Sequence, residues 1–150
     1  MWVYEMQLSL LDLKNELNND PTNIGYAQFL QPITARDNFQ LAALLNLRRS
    51  SIQLPREPIS TMRLFSNINA NDFLLLTTLQ LNELHVVLTM PTIDLNDLSI
   101  RQILQGIFVN KTSTLQNFAS IRNRDGSRYE QLTSPGEVVS SNYISQALES

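Results

Sequence analysis

Cysteine is absent from this chain of 150 residues, which removes disulfides, thiolate metal sites and cysteine nucleophiles together. Lysine is nearly missing: nine of the 11 basic residues are arginine. Histidine occurs once, at position 85. Charged residues make up only 17% of the chain and the net charge is −3, so no specific nucleic acid binding is expected. No apolar run approaches the roughly 20 residues that span a bilayer, so no membrane partner is expected. The opening MWVYEMQLSLL lacks the basic region and small-residue cleavage site of a signal peptide, and a cytosolic origin follows as the expectation. The four glycines form no phosphate loop, dinucleotide fingerprint or G-x-S-x-G elbow.

What is present is a globular balance, with 43% apolar residues, enough for a core in a domain of this size. Arginine over lysine suits surfaces that become buried against other proteins, because the guanidinium makes planar, bidentate contacts. The first residues alternate: Trp2, Tyr4 and Met6 fall on one side, Val3 and Glu5 on the other. This predicts an extended arm over 1–8, followed by one helical domain over 9–150.

Periodicity and caps place the helices. Ser9 and Asp12 predict the start of a first helix, with Leu10, Leu13 and Leu17 as its buried stripe and Asp12 and Glu16 facing solvent. Asp20-Pro21 ends it. A second helix is expected from the Thr34–Asp37 capping pattern to about Asn46, burying Phe39, Ala42, Ala43 and Leu45. SSIQLPREPIS, residues 50–60, reads as a short strand. A brief helix follows after Ser60 or Thr61 and a short turn after Asn71-Asp72, then longer helices after Thr77 or Thr78, Asn96, and Thr112 or Ser113. Gly106 inside one of them is expected to be offset by a closely packed neighbour. Asp125-Gly126 reads as a turn, Ser127 as the cap of RYEQL, Val138-Val139 as a second strand, and Ser140 or Ser141 as the cap of the last helix. The expected fold is mainly α, a compact bundle of about seven short helices, with the two extended pieces available to pair as a small ribbon.

Candidate chemistry is sparse. His85 sits on an apolar helix without convergent partners, which favours a packing role. Asp94, Asn96 and Asp97 lack the glycine and terminal glutamate of a calcium loop and read as capping residues. Neither a metal nor a cofactor is expected. Arg122, Arg124 and Arg128 surround Asp125, and Arg48-Arg49 form a second basic pair. These either contact an acidic partner or pair locally with Asp125 and Glu130.

The dense corner NNDPTNIGY, residues 18–26, has a structural explanation. Asp20 can accept from nearby amides, Pro21 fixes φ, Gly25 admits a positive φ and Tyr26 packs its ring. Ser127, Arg128 and Glu130 read as a second structural motif near the C-terminus.

Taken in order, LLDLKNELNNDPTNIGYAQF, LAALLN, ISTMRLFSNI and GSRYEQLTSPGEVVSSNYISQAL resemble a family of small proteins of tailed bacteriophages. That pattern is a leucine-rich helix, an acidic-Pro corner with Gly-Tyr, a helix ending in Leu-Asn, and a closing Ser-Arg-x-Glu-x-Leu segment before a last helix. This chain departs from it by inserting AQFLQPITARDNF after Gly25-Tyr26. The resemblance implies a non-enzymatic virion component at neck, tail or capsid, bound to other phage proteins in a symmetric, multi-copy assembly and present in the host cytoplasm during assembly. An assembly chaperone or regulator outside the particle is the alternative. Trp2, Tyr4, Arg48, Arg49, Arg122 and Arg124 are the expected contact residues.

Overall fold

The structure, a computed structural model, describes residues 7–150. The chain is mainly helical, with ten α-helices among the described residues. That is more than the seven or so expected, since single-turn pieces such as α5 (Ala70–Leu74), α9 (Arg128–Leu132) and the unanticipated Ala27–Leu30 each count as a helix. The described residues divide into two compact units. One takes the chain up to Leu54 and again from Asp125 to Ser150; the other spans Pro55–Arg124.

In the first unit, α1 (Leu10–Asn19) begins at Ser9, whose hydroxyl accepts from the Asp12 amide. The corner leads to the single turn α2 (Ala27–Leu30) and a 3-10 turn, Ile33–Ala35. Helix α3 (Asn38–Asn46) starts later than predicted, because Asp37 itself is the cap and accepts from the Gln40 amide. Leu41, Ala42 and Leu45 turn inward, while Phe39 and Ala43, expected in the core, share the opposite face one turn apart and are exposed. Strand β1 (Arg48–Pro55) follows.

The second unit runs through β2 (Ile59–Ser60), α4 (Thr61–Ser66), α5 (Ala70–Leu74), α6 (Thr78–Leu88), β3 (Thr92–Ile93), α7 (Leu98–Ile107) and α8 (Thr112–Arg122). Antiparallel pairing sets Ile59 opposite Ile93, and both side chains are buried. They join a core of Leu64, Leu84, Leu104, Ile107, Phe108 and Phe118, in which the two phenyl rings meet edge to face at 5.5 Å. The cap of α7 is Asp97, one residue after the Asn96 expected, and it accepts from the Ser99 and Ile100 amides. Helix α8 has no cap of its own, because Lys111 precedes it. Asp72 of α5 supplies the missing acceptor, taking the Thr114 amide at 3.0 Å and its hydroxyl at 2.7 Å. At the other end Arg56 donates from Nε to the Ile121 carbonyl at 2.8 Å, a cation where α8 presents its orphan acceptors.

The chain returns to the first unit through β4 (Asn123–Ser127), then α9 (Arg128–Leu132) and α10 (Ser141–Glu149). Strand β4 pairs with β1. Asp125-Gly126 is therefore strand rather than turn, and Gly126 is needed for room: a Cβ there would lie 2.6 Å from Leu54 Cγ and 3.2 Å from Ile52 Cγ2. Val138-Val139 is not a strand. Instead the Asn46 side-chain amide pairs with Val139 as a strand would, donating to its carbonyl at 2.8 Å and accepting from its N–H at 2.9 Å. Helices α1, α10 and α3 pack in sequence, with α9 against α3, around Leu13, Leu17, Leu41, Leu45, Tyr129 and Ile144.

The two non-capping glycines of regular structure respond oppositely to a methyl group. A Cβ at Gly106 of α7 meets nothing within 4 Å, so no close neighbour offsets its helix cost. Gly106→Ala should raise unfolding stability by about 0.5–1 kcal/mol. Gly126→Ala should lower it by about 1–3 kcal/mol through overpacking. Urea unfolding of the two variants beside the parent chain measures both.

Candidate functional site

The corner at 18–26 is built around one carboxylate. Asp20 ends α1 in the left-handed region with φ 42°, its N–H donating to the Glu16 carbonyl at 2.9 Å. Its side chain then accepts from the amides of Ile24 and Gly25, both at 2.7 Å, and of Tyr26 at 3.3 Å. Asn23 and Gly25 supply the positive φ values, 57° and 101°, that wrap the backbone around it. Pro21 stays on the outside of this turn.

The corner thereby delivers Tyr26 into the interior with no solvent exposure, where its hydroxyl donates to Glu16 Oε2 at 3.1 Å. Arg128, at the start of α9, grips the same carboxylate with two donors: Nε to Oε2 at 3.2 Å and Nη2 to Oε1 at 2.7 Å. Its Nη1 donates to Gln131 at 2.7 Å. Glu16 is thus buried rather than solvent-facing as expected, while Asp12 does face solvent. Helical spacing carried the signal for this, since Glu16 lies on the stripe of Leu13 and Leu17, three and one positions away.

Beside this pair lies a second reciprocal motif. Ser127 and Glu130 form a capping box, the hydroxyl accepting from the Glu130 amide at 3.0 Å and the carboxylate from the Ser127 amide at 3.1 Å. The other Glu130 oxygen accepts from the Gly136 amide at 2.7 Å. Tyr129 is buried between these contacts; its hydroxyl accepts from the Leu8 amide at 3.4 Å, and the Tyr143 hydroxyl donates to the Leu8 carbonyl at 2.6 Å.

The electrostatics agree with this closed geometry. Burial, then the charge of Glu16 and the hydrogen bond to it, push the Tyr26 hydroxyl far above the ordinary tyrosine range. Burial likewise raises the Tyr129 hydroxyl. The hydrogen bond to Glu16 raises the Arg128 guanidinium further against the opposing effect of burial. Tyr26 is held as a neutral donor, and both Glu16 oxygens already have partners.

The remaining candidates are dispersed. Trp2 and Tyr4 lie outside the described residues. Arg48 is exposed, whereas Arg49 donates from Nη2 to the Leu44 carbonyl at 3.1 Å. Arg124 is buried and pairs with Glu57 at 3.4 Å, and Arg122 lines a small cavity in the second unit. His85 is exposed on α6 rather than packed. Asp94 accepts from the Asn96 amide at 2.9 Å. Among the described residues no three His, Asp or Glu side chains gather as metal ligands, and no helix is long and apolar enough to cross a membrane.

A different feature, not anticipated from sequence, is the apolar surface of α4 and α5. Met62 is 80% exposed and Leu74 78%. Phe65 and Phe73 meet edge to face at 5.8 Å and, with Ile68, Ala70 and Leu74, line an open apolar groove. Leu75 and Leu79 continue the exposed apolar run toward α6.

Comparison with family models, curated proteins and solved structures finds no match for this chain.

Two outcomes follow for the Glu16 cluster. Arg128→Ala leaves a buried carboxylate without its counter-charge and should destabilise the chain by about 3–5 kcal/mol in chemical unfolding. Stability should also decline at alkaline pH. Tyr26 and Tyr129 have folded pKa values above their unfolded ones, near 10, so the unfolded chain releases protons first. Their contribution is full below about pH 10 and is lost as pH rises beyond it. Urea midpoints between pH 8 and 11 should fall in the parent chain and fall less steeply in Tyr26→Phe.

Proposed function

We propose that this chain is a non-enzymatic structural or accessory component of a tailed-phage virion, held at neck, tail or capsid by contacts with other phage proteins. The phage assignment rests on the ordered resemblance of its four segments. The observation that supports a contact role is the apolar surface around Met62, Phe65, Phe73 and Leu74. Exposed apolar side chains clustered in this way mark surfaces that other proteins cover. The best-connected polar cluster, around Glu16, has its carboxylate occupied by Arg128 and Tyr26 and offers no free nucleophile–base pair. In this reading the first unit is scaffold and the second presents the contact surface.

Quantitative mass spectrometry of purified particles from the phage that encodes the chain tests this directly. A fixed ratio to the portal or tail proteins is expected. Absence from particles with abundance in the infected-cell lysate would favour an assembly chaperone or regulator instead. Met62→Asp with Leu74→Asp should reduce the amount recovered in particles several-fold while leaving thermal unfolding nearly unchanged, since both side chains are mostly in solvent.

A further inference from the structure

A cavity of about 110 Å³ opens in the second unit between α7 and α8. Leu104 and Phe118, both buried, and Leu115 give it an apolar floor. Leu95, Arg101, Gln105, Ala119 and Arg122 complete its lining, and no carboxylate is among them. Neither guanidinium has an ion pair among the described residues, in contrast to Arg36, Arg124 and Arg128, which pair with Glu149, Glu57 and Glu16. The Nε of Arg101 is moreover buried without a hydrogen-bond partner, a deficit that native interiors rarely tolerate.

The volume restricts what enters. Pockets for cofactors and drug-sized ligands run to about 300–1,000 Å³. This one has room for a single aliphatic side chain, the size of an interface anchor. Two arginines without an ion pair among the described residues define the second requirement, a carboxylate that draws both guanidinia toward the cavity and relieves the stranded Arg101 donor.

We propose that this cavity receives an acidic segment of a protein partner, with one aliphatic side chain seated on Leu104, Leu115 and Phe118 and a neighbouring Asp or Glu carboxylate held by Arg101 and Arg122. The proposal rests on the reading of the chain as a protein-contact component and gives that reading a chemical specificity. Charge complementarity favours the acidic segment over a purely apolar one, which would leave both guanidinia unpaired at the edge of a closing interface.

The test is a titration of the isotope-labelled full chain, followed by its amide resonances at low ionic strength. Two blocked peptides are compared, Gly-Leu-Glu-Gly and Gly-Leu-Gln-Gly, with inorganic phosphate as a third probe. The glutamate peptide should give saturable shifts confined to α7 and α8 and bind at least about tenfold more tightly than the glutamine peptide. Binding should be lost in the paired variant Arg101→Gln, Arg122→Gln. It should also be lost in Ala119→Phe, which fills the cavity from its exposed lip and keeps both arginines. Equal affinity for the two peptides, an absence of saturable shifts, or binding that survives in either variant would overturn the proposal. Phosphate binding as tight as the glutamate peptide would overturn it too, in favour of a general anion site. Because purified chain is used, the result is separate from particle recovery: a chain found in particles that ignores the peptide keeps the virion reading and removes this cavity from it.

Discussion

The carboxylate of Glu16 is the constraint on which the first unit depends. Removing such a group from water costs several kcal/mol, and the cost is offset only when the whole carboxylate is used. Here one oxygen faces Arg128 Nη2 and the other is shared by Arg128 Nε and the Tyr26 hydroxyl. Those partners come from different stretches of chain, so the backbone of each stretch is arranged to deliver them. The Asp20 turn, with its left-handed residues, exists in physical terms to bring Tyr26 inward six residues after Asp20. The Ser127–Glu130 box starts α9 where Arg128 can reach across. An apolar pair could fill the same volume, but it would not define which side chain must meet which.

The second unit solves its polar problems differently. The ends of α8, which has no cap of its own, are satisfied by residues of neighbouring elements: Asp72 serves its start and Arg56 its end. With the backbone so closed, Ile59, Leu64, Leu104 and Phe118 pack inside without buried charge at their centre. Yet the short helices α4 and α5 leave Met62, Phe65 and Leu74 in solvent. Four- to six-residue helices have too few turns to hide a whole apolar stripe, and what the fold does not cover remains available to another molecule.

Local chemistry was the legible part of this sequence. Ser9, Ser60, Thr77, Ser127 and Ser140 cap helices where the pattern places them, because each needs only residues within one turn. Long-range choices were not legible. Strand β1 pairs with β4 rather than with the Val138 segment, since Gly126 admits Leu54 and Ile52, a fit invisible without both strands. Phe39 faces solvent because α10 and α9 pack on the Leu41, Ala42 and Leu45 face of α3, a choice made by distant elements. Glu16 lies on the stripe of Leu13 and Leu17, but which cation meets it there, 112 residues on, is not written in its neighbourhood. Arg101 passes unnoticed for the same reason, since its lack of a partner is a property of space, not of spacing.

The interleaved arrangement of the units bears on synthesis. Glu16 and its counter-ion Arg128 are separated by 112 residues of chain. At ribosomal rates of about 5–20 residues per second, roughly 6–22 s pass between the appearance of the acid and of the arginine. Everything needed for Pro55–Arg124 emerges in that interval. The second unit can therefore reach its packed state while α1 and α3 still await α9 and α10, so the half that begins first is closed second.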